Sequence, residues 1–249
     1  MRNTQLKHQH DSSEVKYDSS EQFDINLVDI TSESVFINSN VDLQNVVQWV
    51  INHTKSNCNL GRVGAVCPFV APALERRCLW LSVVDIEITS ADELCRIVAK
   101  HVESYRHLPS GVGNGLATYL IVLPRLKNEG SPSIVDCVHQ KMKPLVVAHG
   151  LMLGEFYPKN QAPGAHNPNF HPLQSPMPLF VLREMVAGDL VFLNRSIDPP
   201  TLRVKFLSSY LRSLAGQLPA NRINEAKAAV AEAKLELSKR ASSPKLKKT

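Results

Sequence analysis

Between Tyr157 and Pro178 the chain carries six prolines, at positions 158, 163, 168, 172, 176 and 178. Each one fixes φ, removes a backbone donor and drives the preceding residue out of the helical region. No helix or central strand can run through such a stretch. A structureless segment of this length inside a compact domain is either a functional loop or a disordered one. Its flanks, Leu151-Met-Leu-Gly-Glu-Phe156 and Leu179-Phe-Val-Leu-Arg-Glu-Met185, are apolar and read as buried strands, or as a strand and a short helix. They favour an ordered loop. Arg183 and Glu184 therefore sit beside core, and the whole stretch from His149 to Arg195 is where side chains suited to chemistry are densest.

The remaining chain alternates strand and helix signals. Residues 1–22 are polar, too poor in apolar groups to offset the entropy of ordering, and read as a mobile arm that includes His8 and His10. Phe23 to Ile37 is β-branched and alternating, which predicts a strand or two short ones. Asp42 opens a helix with Leu43, Val46, Val47, Val50 and Ile51 at helical spacing. Leu60 to Pro72 reads as a semi-buried loop, and Cys78 to Ile88 as a central strand. Ser90 with Glu93 forms a capping box for a helix whose inward stripe is Leu94, Ile97, Val98, Val102 and Tyr105. Gly111-Val-Gly-Asn-Gly115 follows a helix and precedes the strand from Thr118 to Leu123, the reverse of a dinucleotide fingerprint, so it reads as a turn. A helix from Ser131 to about Met142 leads into Leu145-Val-Val147. After the central loop, Asp198-Pro-Pro opens a helix with Leu202, Phe206, Tyr210, Leu211 and Leu214 inward, and Pro219 begins an alanine-rich last helix. The expected fold class is α/β, or α+β, with a single sheet of about four or five strands flanked by helices. The expected organisation is an arm at 1–22, one body at 23–218, and a final helix with a basic tail at 219–249.

Composition bounds the partners. The formal charge is +5, and the stretch from Asn221 onward, with eight Lys or Arg and three Glu, accounts for all of it. A neutral body argues against an extended phosphate-binding face, so no nucleic-acid partner is expected. The polar N-terminus has no signal-peptide core, and no apolar run approaches the roughly 20 residues of a membrane span. A cytoplasmic protein without a membrane partner is the expectation. Five cysteines, Cys58, Cys67, Cys78, Cys95 and Cys137, form no paired motif or metal-ligand spacing.

Candidates for chemistry are few. Cys67, ahead of Pro68, is held on a stiff turn and is either a nucleophile, an iron thiolate or a packing cysteine. His149, His166 and His171 share one segment, at spacings that place them on no common helix face. Arg62, Arg183 and Arg195 can each grip a carboxylate in two-pronged fashion, or pair with Glu184 or Asp189.

One pattern carries a resemblance. Gly61-Arg62, Cys67-Pro68-Phe69, Gly150-Leu-Met-Leu-Gly154, Phe156, Pro158, Asn167-Pro168, Phe170, Pro172, Ser175-Pro176, Pro178, Arg183, Met185-Val186, Asp189 and Phe192-Leu193 resemble a bacterial family of formerly unknown function found in natural-product gene clusters. The similarity covers roughly residues 45–195. That family is distantly similar to the YqcI/YcgG proteins and to the haem protein of cycloserine biosynthesis, which place oxygen on a guanidine or amine nitrogen. The resemblance implies haem as cofactor and N-hydroxylation of an amino acid or guanidino compound in specialised metabolism. It implies Cys67, Arg62 and Arg183 as cofactor-binding residues, and Glu155, Glu184 and Asp189 as binders of the substrate cation. The axial iron ligand stays open among Cys67, His171 and His149, because Tyr157 stands before Pro158 and His171 stands where relatives carry arginine. An electron donor would then be a partner, with a homo-oligomer through the last helix as a further expectation. Two readings compete with this one: a non-catalytic partner protein of a biosynthetic pathway, and a cofactor-free enzyme with Cys67 as nucleophile.

Overall fold

The computed structural model describes residues 25–32, 34–55, 60–108, 115–126, 131–164 and 166–242. The arm at 1–22, Cys58, the glycine turn from 111 to 114 and the lysines at 245, 247 and 248 lie outside the described residues.

Five strands form one sheet: β1 (Val28–Asp29), β2 (Leu79–Val83), β3 (Thr118–Val122), β4 (Leu151–Phe156) and β5 (Leu179–Glu184). Their spatial order is β1-β2-β3-β5-β4, with β2 and β3 parallel and all other pairs antiparallel. This is the mixed α/β architecture expected of the sequence. The parallel pair needs a crossover, and α4 (Ala91–Arg106) supplies it. The six-proline stretch joins β4 to β5, whose register sets Phe156 opposite Leu179 and Leu151 opposite Glu184.

Alternation along the strands divides the core in two. Tyr119, Ile121, Leu153, Phe180 and Leu182 face α4 and α5 (Ser131–Ala148), while Leu79, Leu81, Leu120, Val122 and Leu179 face α2 (Val41–Asn52) and α3 (Val70–Glu75). Every residue of the expected α4 stripe is buried. Burying one such side chain contributes about 1.5–3 kcal/mol, enough to hold a helix whose propensity alone would not. The Ser90 hydroxyl caps α4 by accepting from Glu93 N–H at 3.2 Å, but the Glu93 carboxylate reaches Thr89 N–H at 2.9 Å, one residue before the expected closure of the box. A third cluster packs α7 (Pro200–Ser213) and α8 (Ala220–Ser242) on the far side of α5 through Val147, Met185, Leu193, Phe206 and Tyr210.

Three local readings differ from the sequence. Among the described residues of the Phe23–Ile37 stretch, Val28–Asp29 form a two-residue strand and Val35 opens the short helix α1 (Val35–Asn38). The Leu60–Pro72 loop turns into α3 at Val70, with Pro72 in its first turn, where the missing N–H costs nothing. Helix α5 runs through Pro144 to Ala148 instead of stopping near Met142, so Leu145-Val-Val147 is helical. Burial of Val146 and Val147 offsets the one backbone hydrogen bond that Pro144 cannot make.

The central loop is tied down by its own hydrogen bonds. Asn160, only 3 % exposed, accepts from Ala162 N–H and from the Gln174 side chain, while Gly164 N–H donates to Phe170 O and Tyr157 N–H to Leu173 O. Trp49 of α2 donates its indole N–H to Gln174 O at 2.8 Å. Gly61 lets the 60–68 loop abut this one. Its φ is +74°, and a Cβ there would come within 2.6 Å of His166 O, so no other residue fits.

Candidate active site at the β4 edge

Strand β4 is an outer strand of the sheet, and α5 runs alongside it. Asp136, His139 and Lys143 recur at helical spacing on α5, one position beyond the buried Val135, Val138 and Met142, and form a polar stripe. From β4 come Glu155 and, just past its end, Tyr157. From the connection between α6 (Leu190–Leu193) and α7 come Arg195 and Asp198.

His139 Nε2 lies 3.0 Å from Leu153 O and 3.1 Å from a Glu155 carboxyl oxygen. A carbonyl only accepts, so Nε2 carries the hydrogen. The two side chains are 13 % and 21 % exposed, still in reach of solvent and dry enough to shift their titration. Burial, supported by the positive Lys143, pushes His139 down to about 4. Burial also pushes Glu155 up to about 7, with Asp136 adding to the rise and Arg195 and Lys143 opposing it. At neutral pH His139 is therefore neutral and Glu155 divides between its two forms. Tyr157, raised to about 12 by burial and by Asp136, donates its hydroxyl to Asp136 at 3.3 Å. Lys143 contacts Asp198 at 3.3 Å, the Phe192 carbonyl at 3.2 Å and the Phe206 ring at 4.9 Å. A carboxyl group poised near the working pH beside a neutral imidazole can both give and take a proton.

The sequence-derived candidates do not all gather here. Glu155 does. Glu184 pairs with Leu151, four residues along β4 from Glu155 and thus about 13 Å away. Its carboxyl, raised by burial, lies near Gly115. Asp189, 2 % exposed, binds Arg183 through both oxygens at 2.6 and 2.8 Å and also accepts from Val186 N–H. Arg183 lies 5.9 Å from the Phe69 ring and senses Cys67 electrostatically, so Cys67, Phe69, Arg183 and Asp189 form a second group. Burial works against the Arg183 charge, and the Asp189 contacts outweigh it and raise the guanidinium. Arg62 is exposed and donates to the carbonyls of Val63, Ala65 and Val66. His149 is exposed at the end of α5, where Arg106 and Glu103 of α4 act on it, and His171 Nδ1 lies 3.4 Å from Ala162 O in the central loop. His166 is an exposed loop residue.

Sequence reading passed over Asp136, His139 and Lys143, and used Asp198 only as a helix opener. The available signal was their 3- and 4-residue spacing. It was masked because Pro144 made the helix look as though it ended just before Lys143.

The geometry thus defines a mixed α/β protein with an acid–base cluster on its edge strand. The chain belongs to the family described as a domain of unknown function, DUF6875, whose model matches residues 43–225. No curated protein matches the chain, and no solved structure does. Among the described residues no helix is long and apolar enough to cross a membrane, and no group of three His, Cys, Asp or Glu is arranged to hold a metal ion.

Proposed function

We propose that this chain is an enzyme that exchanges a proton with a small polar substrate at the Glu155–His139 pair, the substrate being an amino acid or guanidino compound. The observation that supports this most is the 3.1 Å contact between a carboxyl group raised to about 7 and an imidazole lowered to about 4. In the Arg183–Asp189 pair the contacts outweigh burial and favour the guanidinium charge, whereas here burial prevails and drives both partners from charge. The substrate nitrogen, bound as a cation, would meet ionised Glu155 with Asp136 behind it, and binding would expel the proton that Glu155 holds. Calorimetric titration of amino acids and guanidino compounds at pH 7, in two buffers of different ionisation heat, reads that proton directly. Release of roughly half a proton per ligand is expected from a group whose pKa equals the working pH. Glu155→Gln should abolish it. Binding that releases no proton, or releases the same amount from the variant, would sink the reading.

Haem-dependent N-hydroxylation is a second reading, favoured by one feature. Cys67 is partly exposed on a backbone fixed by its own N–H to His53 O, by Val66 N–H to Lys55 O and by Pro68. That suits a thiolate ligand. Arg62 and Arg183 do not suit the propionates, since backbone carbonyls and Asp189 already hold them. Haem, when bound, would supply oxygen activation and require an electron donor. Protein purified from haem-replete cells should show a Soret band that Cys67→Ser alters. A spectrum kept by Cys67→Ser and lost in His171→Ala or His149→Ala would move the ligand to histidine, and no band under any condition would end the haem reading.

A further inference from the structure

Lys143 is an unusual neighbour for a proton-exchanging pair. It is a cation with only 11 % of its side chain exposed, one helical turn after His139, and its ammonium is held from three sides. The Asp198 carboxylate is shared: Oδ2 meets Lys143 at 3.3 Å, and Oδ1 meets Arg195 at 3.2 Å. One acid on the α6–α7 connection thus fixes two cations. The charged groups that act on His139 are Lys143 from α5, Glu155 from β4, and Arg195 and Asp198 from that connection, while Asp136, three residues before His139 on α5, accepts from the Tyr157 hydroxyl. The backbone contact from Lys143 to Phe192 O fastens the connection to α5, which gives the pair a wall of fixed geometry and fixed charge.

We propose that Lys143 is a positioning residue of the Glu155–His139 pair, which through its contacts to Asp198 and Phe192 holds the α6–α7 connection beside the pair and sets a fixed positive charge one helical turn from His139. This rests on the acid–base reading of that site. A lysine placed here disfavours a second proton on His139, so the imidazole stays neutral with its one hydrogen on Nε2, directed at Leu153 O and Glu155. Asp198 acts in the opposite sense, favouring the charge on His139 and opposing the burial that lowers Lys143.

The test is the titration of His139 by NMR on the full chain, with the resonance assigned by its loss in His139→Gln. Lys143→Met should raise the His139 midpoint by about one unit, the size expected of a unit charge one helical turn away at a partly solvated site. Lys143→Arg should leave it in place, and Asp198→Asn should lower it. The opposite directions separate positioning from loosened packing, which would move the midpoint up towards the ordinary histidine value in both Lys143→Met and Asp198→Asn. A rise in both, or no change in either, overturns the proposal. The measurement uses no substrate, so it succeeds or fails independently of the proton-release experiment. Opposite shifts combined with no proton release would keep the electrostatic role of Lys143 and remove the catalytic one from Glu155.

Discussion

Arg183 with Asp189 and Glu155 with His139 are both acid–base pairs set into the β4–β5 half of one sheet, and they are built in opposite ways. Asp189 is almost wholly enclosed, and its two oxygens accept from two guanidinium nitrogens and a backbone N–H, so each charge is met by hydrogen bonds. Glu155 and His139 are more open, share one contact, and are both driven from charge by burial. A pair whose bonds are complete holds the chain in place. A pair left short of partners is costly to keep, and that cost is what makes its protons available. The contrast also explains why two acids expected to bind a substrate cation divide: Asp189 is occupied by Arg183 through both oxygens, whereas the side-chain partner of Glu155 is an uncharged imidazole.

The most damaging change to this contrast is Asp189→Ala. It strands the Arg183 charge among Phe69 and the strand ends, and breaking such a pair from one side costs about 3–5 kcal/mol. Urea unfolding should show a loss of that size, and a loss below 1 kcal/mol would place Arg183 among ordinary surface cations.

The second prediction concerns pH. Glu155 is raised on folding, so its contribution is present at low pH and lost as pH rises from about 4.5 to 7. His139 is lowered, so its contribution is present above 6.5 and lost as pH falls towards 4. Between those limits the folded pair and the unfolded pair hold the same number of protons, and their effects cancel. Glu155→Gln should therefore expose an acid sensitivity of up to about 3 kcal/mol between pH 6.5 and 4, and His139→Gln should expose a loss of the same order between pH 4.5 and 7. Parallel stability profiles for both variants and the parent chain would mean that the pair is not shifted as described.

The smallest effect is expected at Arg62, an exposed cation that serves only its own loop. Arg62→Ala should cost about 1 kcal/mol, the net value of its backbone contacts, and leave proton release at Glu155 unchanged. A change in proton release in this variant would link the 60–68 loop to the β4 edge.

Much of the fold was legible along the chain, because burial repeats at fixed periods there. The α4 stripe from Leu94 to Tyr105, the two strands around the proline-rich loop and the inward residues of α7 all carried their own pattern. Where that failed, a local signal was outweighed by packing. Pro144 marked a stop, yet buried Val146 and Val147 carried α5 to Ala148. The order β1-β2-β3-β5-β4 was set by no local pattern, since strand pairing is a contact between segments far apart in sequence. The site divides in the same way. Glu155 stood out beside a buried strand, but its partner lies sixteen residues earlier on another element. By itself the sequence determined which residues could be buried and which stretch could not be helix or strand. Only the tertiary structure decided that His139 would meet Glu155 and that Asp189 would be consumed by Arg183. Desolvation and charge pairing depend on distance and enclosure, and neither exists until the chain has folded.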